Sequence, residues 1–330
     1  MELRPLRLPQ DLIPLGKMIC HTFQYPENPE WSVQTDEKEQ IVDTIRIFRR
    51  LWPLVRLGQY LSPSLRDMLR GYVAVEDGRI VGLTMVHRHG TTDTWVVGTV
   101  GVLPEYRRRG LARAILESAL ELMRKRGARR AWLSVINGNT PAQRLYESLG
   151  FEVYDAMIDY TLTAPSLPSV PEIPDGYSIS RLPRSDWRTR FELEERIVPE
   201  ETRRYEPVEP GRFRQPLPLL LLLPIINRAQ HTAEEAFVVR ETDGDKTVAW
   251  CRYAASTRGK GVNSIAVRLD PARPELADYL VGRMLHEVVS KSPNLRVEID
   301  VPRWMPAVAA AVESFGFKRR VEYLKMGLEL

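Results

Sequence analysis

The chain has 330 residues, 43% hydrophobic and 27% charged, with 47 Lys and Arg against 43 Asp and Glu for a net charge of +4. That length fits two domains, the composition excludes disordered and collagen-like chains, and so small a charge excess provides no basic field for nucleic acid. Two distant cysteines, Cys20 and Cys251, exclude a disulfide framework and a zinc module, so no metal is expected, and the Met1-Glu2-Leu3-Arg4-Pro5 start lacks a signal-peptide core, which makes the cytoplasm the expected location.

In chain order, Leu3 to Leu8 reads as a strand and Asp11 to Thr22 as a helix. Glu37 to Leu51 follows as a second helix, with Ile41, Ile45 and Phe48 on one face. Gly71 to Val75 and Arg79 to Val86 flank Asp77-Gly78, a hairpin signal, and Thr94 to Val102 is a third antiparallel-type strand. Leu111 to Met123 carries a broad apolar stripe of helical period, with Arg124, Lys125 and Arg126 at its carboxyl end and Gly127 as its stop. A strand at Ala131 to Ile136, a short helix at Pro141 to Leu149 and a strand at Phe151 to Leu162 complete an α/β pattern, a mixed, mostly antiparallel sheet with helices on both faces. Four prolines between Ala164 and Pro174 mark a linker at the chain's midpoint. The apolar run Leu217 to Ile226 is too short to span a bilayer and holds two prolines, so it is expected to be buried, with no membrane partner.

The most informative stretch is Val102-Leu103-Pro104-Glu105-Tyr106-Arg107-Arg108-Arg109-Gly110-Leu111-Ala112, where a strand turns into an amphipathic helix. First-turn amides of such a helix lack internal partners and lie at its positive dipole end, which suits a phosphate; Gly110 and Ala112 leave room, and Arg107, Arg108 and Arg109 add charge. The spacing is neither the three-glycine dinucleotide fingerprint nor a Walker loop.

Here the chain resembles the GNAT superfamily of N-acetyltransferases. The family's acyl-CoA loop, Gln/Arg-x-x-Gly-x-Gly/Ala after a strand ending in Val-x-Pro, is matched by Val102 to Pro104 and Arg107 to Ala112. Its second signature, Asn-x-x-Ala-x-x-Leu-Tyr-x-x-x-Gly-Phe, is matched by Asn139, Ala142, Leu145, Tyr146, Gly150 and Phe151. The resemblance implies acetyl-CoA as co-substrate, its pantetheine paired with a free backbone edge at Val100 to Val102 and its pyrophosphate at Arg107 to Ala112, Leu111 included. It further implies an oxyanion contact from the Val102 amide, direct attack by an amine, and Tyr146 as the acid that protonates the departing thiolate. Asn139 and Ala142 are expected beside the co-substrate, although Asn139 before Thr140-Pro141 is equally a helix-start residue. For the base, His87, His89, Asp93 and the Leu330 carboxylate stay open. Phe23, Tyr25 and Trp31 lie where this family builds acceptor specificity, and core packing explains them equally well.

A repeat runs through the chain. Tyr146 to Phe151 matches Val312 to Phe317 at a shift of 166, and Leu111-Ala112 matches Leu276-Ala277 at a shift of 165. Under these shifts Tyr146 falls on Val312, Asn139 on Met305, Gly110 on Glu275 and Arg109 on Pro274, so the second copy keeps the scaffold and lacks the acyl-CoA chemistry. We therefore expect two tandem GNAT-like folds, a catalytic domain at 1–163, a linker at 164–176 and a degenerate domain at 177–330. In tandem enzymes of the mycothiol synthase type the carboxy-terminal copy is catalytic, so that acceptor is not carried over. The expected acceptor is a primary amine of a small molecule or peptide; the second domain is expected to close the acceptor side or to form a homodimer surface. The rival reading is a non-catalytic acyl-CoA-binding regulatory or interaction protein.

Overall fold

A computed structural model describes residues 1–61, 63–214, 220–221, 224–225, 227–228 and 231–330. The first half runs β1 (Glu2–Pro5), α1 (Leu12–Thr22), α2 (Thr35–Arg50), α3 (Trp52–Leu61), α4 (Pro63–Arg66), β2 (Arg70–Glu76), β3 (Arg79–Arg88), β4 (Thr94–Val102), α5 (Leu111–Lys125), β5 (Arg130–Ile136), α6 (Thr140–Glu147) and β6 (Glu152–Leu162). The second runs β7 (Tyr177–Arg181), α7 (Trp187–Ile197), α8 (Glu200–Tyr205), α9 (Pro210–Phe213), β8 (Thr232–Glu241), β9 (Thr247–Ser256), β10 (Asn263–Leu269), α10 (Ala277–Lys291), β11 (Val297–Pro302), α11 (Pro306–Ser314) and β12 (Lys318–Glu329). Asp77 and Gly78 both take positive φ, 50° and 75°, as a tight β2–β3 hairpin needs. Sequence periodicity did not single out α3 and α4.

The long helix, the short helix and the final strand of the second half start at one offset from their counterparts in the first. Both α5 and α10 have 15 residues, starting at Leu111 and Ala277, and α6 and α11 start at Thr140 and Pro306. All these starts differ by 166, so the shift of 165 at the helix start is corrected: Gly110 corresponds to Leu276, and Arg109 to Glu275. Leu276 is fully buried with ordinary right-handed dihedrals, so apolar packing occupies the turn that Gly110 leaves open.

The twelve strands among the described residues join in one sheet of order β1-β2-β3-β4-β5-β12-β6-β11-β10-β9-β8-β7. The two terminal strands are exchanged: β12, from the second half, pairs with β5, while β6, from the first, pairs with β11, and the two pair with each other. Each half's core thereby takes side chains from the other's strand. Met326 is fully buried among Leu116, Leu120, Leu133 and Phe151, and Tyr160 is buried among Ile265, Leu280 and Val297. The helices α5, α6, α10 and α11 pack on one face through these cores. Strand alternation turns Ser134, Tyr323, Asp159, Asp300 and Arg268 to the opposite face, where they line a cavity.

Of the apolar run Leu217 to Ile226, residues 217–219, 222–223 and 226 lie outside the described residues, whereas Leu221 and Ile225 are exposed rather than buried. Among the described residues no helix is long and apolar enough to cross a membrane.

Candidate active site

Strands β4 and β5 run parallel only from Thr94↔Arg130 to Val97↔Leu133, then part. An extra residue, Gly98, is bulged out of β4 between its pairings to β3, and a bulge bends and twists the strand that carries it. Past it, the Leu103 amide donates to the Val81 carbonyl at 2.9 Å, which makes Gly82 and Val102 a non-hydrogen-bonded pair. The backbone groups of Val102, and by alternation those of Val100, therefore face the open edge towards β5.

A cavity of about 1150 Å³ occupies this wedge. Its lining includes Val100, Val102, Arg107, Arg108, Gly110, Leu111, Ala112, Asn139, Ala142 and Tyr146, which are ten of the eleven residues singled out in the sequence. Arg109 is the exception: its guanidinium lies over the Tyr106 ring, 5.0 Å from the centroid, with Glu76 at 4.0 Å. Arg107 braces the loop, donating to the Val102 carbonyl at 3.2 Å and to the Thr22 carbonyl at 2.9 Å. Arg108 makes no ion pair among the described residues.

The start of α5 is built to receive an anion. Arg108 and Gly110 take positive φ, 63° and 78°, and the first intrahelical bond runs from Ala114 to Gly110. The amides of Leu111, Ala112 and Arg113 are thus left without a partner at the positive end of the helix. A Cβ on Gly110 would meet no atom within 4 Å, so glycine is required there for its backbone conformation.

Tyr146 is 7% exposed, stands edge-on to Phe151 and makes no side-chain hydrogen bond among the described residues. Burial pushes its phenol up, so it is a neutral proton donor at ordinary pH. Asn139 caps α6, its Oδ1 accepting from the Ala142 amide at 3.4 Å. The buried Thr22 hydroxyl, on the cavity wall, also lacks a partner.

A second cavity of about 790 Å³ adjoins the first and shares Phe23, Tyr25, Trp31, Val100, Asn139, Ala142 and Tyr146 with it. Both halves build it. Its floor is carried by β5, β12, β6, β11 and β10, and its side by the aromatic loop, in which Tyr25 and Trp31 meet edge to face at 5.8 Å. Arg320 holds that loop down. It donates to the Glu30 and Ser32 carbonyls at 3.1 and 3.3 Å and to Glu37 and Glu298 at 2.6 and 3.1 Å. Arg296 adds contacts to Asp36, Glu37 and Glu298 at 3.3, 2.9 and 2.9 Å. Burial works to raise Glu37, but the Arg320 and Gln34 hydrogen bonds outweigh it and hold its carboxyl below the usual range. Asp159 lacks such bonds, and burial, with Asp300 directly opposite, pushes it up to about 7.

Neither histidine lines either cavity; burial lowers His87 and takes His89 to about 3. Asp93 is engaged by Arg130 at 2.7 Å, and Leu330 lies beside Arg129 at the far end of β5. The carboxylates facing the second cavity, Glu37, Asp159, Glu298 and Asp300, were missed in the sequence. Glu298 and Asp300 alternate with Val297, Ile299 and Val301, a signal that one face of β11 is polar.

This geometry is matched by known proteins. The acetyltransferase (GNAT) family matches residues 35–151. That segment is a GNAT acetyltransferase domain. An uncharacterized N-acetyltransferase of Mycobacterium bovis is 36% identical over 98 residues, 30% of this chain and 60% of the relative. The [ribosomal protein bS18]-alanine N-acetyltransferase of Escherichia coli is 48% identical over 52 residues, 16% of this chain and 35% of its own. The chain thus spans less than two thirds of the length of these relatives. Across its whole length it has the fold of a tandem GNAT protein from the clavulanic acid biosynthesis pathway, with a TM-score of 0.62 and 16% identity over 99% of this chain and 98% of the other. The GNAT segment supplies the wedge, the α5 start and Tyr146, while β6, β12 and the second half supply most of the second cavity.

Proposed function

We propose that the chain is an acetyl-CoA-dependent N-acetyltransferase acting on a primary amine of a small molecule or peptide. The observation that carries this reading is the unpartnered Tyr146 hydroxyl at the wall between two cavities, one bounded by the free α5 amides and the other by both halves of the chain. The names of the relatives, all N-acetyltransferases, support it. The first cavity fits the co-substrate: unpaired amides and Arg108 for phosphate, an open β4 edge for an amide-bearing chain, and the partnerless Thr22 hydroxyl on its wall.

Acetyl-CoA supplies an activated acetyl thioester. The aromatic loop Phe23 to Trp31 shields the junction from water. An amine entering from the second cavity forms the new N–C bond, and the negative charge that develops on the carbonyl oxygen is met by the Val102 amide at the open edge. The amine enters neutral; as the C–S bond breaks, the Tyr146 hydroxyl gives its proton to the leaving sulfur, and the proton that the acylated nitrogen then releases restores the phenol. Catalysis belongs to residues 1–163, and residues 177–330, joined through the linker 164–176, serve as the acceptor wall.

The test is thiol release from acetyl-CoA across an amine panel. Tyr146→Phe should lower kcat by about 10²–10⁴ and leave acetyl-CoA affinity within threefold. Unchanged turnover would remove Tyr146 from this role, and absence of acetyl-CoA binding to the unmodified protein would overturn the whole reading.

A further inference from the structure

The floor of the second cavity has an electrostatic pattern that the transfer reaction alone does not require. Asp159 on β6 and Asp300 on β11 are direct cross-strand partners on the cavity face. Like charges placed opposite each other destabilise a sheet, and a carboxylate withdrawn from water, as Asp159 is and the exposed Asp300 is not, needs hydrogen-bond donors. Among the described residues Asp300 has no ion pair within 4.0 Å, and the only cation of that kind near Asp159 is Arg320 at 3.5 Å, which spends its hydrogen bonds on Glu37, Glu298 and two carbonyls. Asp159 is 7% exposed, whereas the accessible surface of Asp300 opens on the cavity.

The neighbouring cations relieve the pair only in part: desolvation within the cavity still raises both carboxyls, although Arg268 and Arg320 favour the charged form of Asp300 from beyond ion-pair distance. Arg296 and Arg320 face four carboxylates, Asp36, Glu37, Glu298 and Asp159. Lys325 is held by Glu206 at 2.6 Å, and Arg252 by Glu234 at 3.1 Å. Arg268, on the next strand, stacks over Trp250 and makes no ion pair within 4.0 Å, so it bounds the acidic strip on its far side. The floor between β12 and β11 therefore carries more carboxyl groups than cations. Among the described residues no group of three metal-ligating side chains occurs, which disfavours a metal as the missing cation. At the other end of the same cavity stands the partnerless hydroxyl of Tyr146, a residue 7% exposed.

Resting on the transfer reading above, we propose that the second cavity selects an extended amine with a second cationic nitrogen, seated between Asp159 and Asp300 while the first nitrogen is acetylated beside Tyr146. From β5, where the wedge opens, the pair lies two to three strand spacings away, roughly 10–14 Å. The acceptor is thus a linear di- or polyamine-like molecule rather than a compact monoamine.

The test uses the full chain and a matched pair of probes, a linear ten-carbon diamine and the amino alcohol of the same length. The diamine should be favoured roughly 10- to 100-fold in kcat/KM, the range of a charge-assisted contact. In Asp300→Asn that preference should fall to within threefold, with acetyl-CoA affinity by calorimetry unchanged. Equal use of both probes by the unmodified protein, or a preference that survives in both Asp159→Asn and Asp300→Asn, would overturn the proposal. Preference for an amine ending in a carboxylate would overturn it too, and would assign the cavity's selectivity to Arg268. Calorimetric titration of the diamine separates the two readings. Binding that is lost in Asp300→Asn supports the proposal even if no acetyl group is transferred, and absence of diamine binding overturns it even if other amines are acetylated.

Discussion

Met326→Ala tests the strand exchange directly. Met326 comes from β12, late in the chain, yet it is fully buried in the first half's core and sits opposite Leu133 of β5. Emptying a buried methionine site costs about 2–5 kcal/mol, and at 1.4 kcal/mol per tenfold a cost near 3 kcal/mol raises the local opening equilibrium by about two orders of magnitude. Hydrogen exchange read by mass spectrometry should speed up in α5 and β5 by about 100-fold, while β9, β10 and α10 change by less than about tenfold. Tyr160→Ala, in β6, should produce the mirror pattern, because Tyr160 lies in the other core. Acceleration confined to β9, β10 and α10 in Met326→Ala would refute the exchange, since it would place that side chain in the core of its own half.

Two further outcomes follow from the cavities. Gly110→Ala forces an alanine to φ 78°, which costs roughly 1–2 kcal/mol and unwinds the turn presenting the α5 amides; acetyl-CoA affinity by calorimetry should drop about tenfold, with the fold intact by circular dichroism. Asp159 holds its proton up to about pH 7 in the folded chain but only to about 3.8 when unfolded, so the folded state binds the extra proton between these values. Its contribution to stability is therefore greatest at low pH and is lost as pH rises through that window. Asp300, Arg320, Glu37 and Arg296 surround it, so the comparison is made against Asp159→Asn: the melting temperature of the unmodified chain should fall relative to the variant from pH 4 to 7, and a constant difference would show that Asp159 titrates normally.

Much of the wedge was legible in the sequence because its determinants are local. The stripe of α5, the Pro104 turn, Gly110 and the Asn139-Thr140-Pro141 helix start each act over a few residues, and the corresponding elements lie within a residue or two of expectation. The exchanged strands were not legible for a reason inherent in the repeat. Both β6 and β12 follow a short helix at the same offset and carry alternating side chains, so either would pair beside β5. Only the adjacency created by that choice brings Asp159 to Asp300 and Arg320 to Glu37. The same indeterminacy hid the floor of the second cavity, whose residues come from strands as distant in sequence as β5 and β10.

The exchange also reverses the order in which the molecule can be finished. During synthesis the amino-terminal half emerges first, but the edge of β5 away from the wedge stays unpaired until residues 318–329 arrive. An unpaired strand edge is open to any matching strand, and on a polysome the nearest candidate is β12 of a neighbouring nascent chain. A nonsense change ahead of the codons for residues 318–329 would accordingly strike the earliest-made half of the protein, and a chaperone that shields the β5 edge would have to stay until those residues have been made.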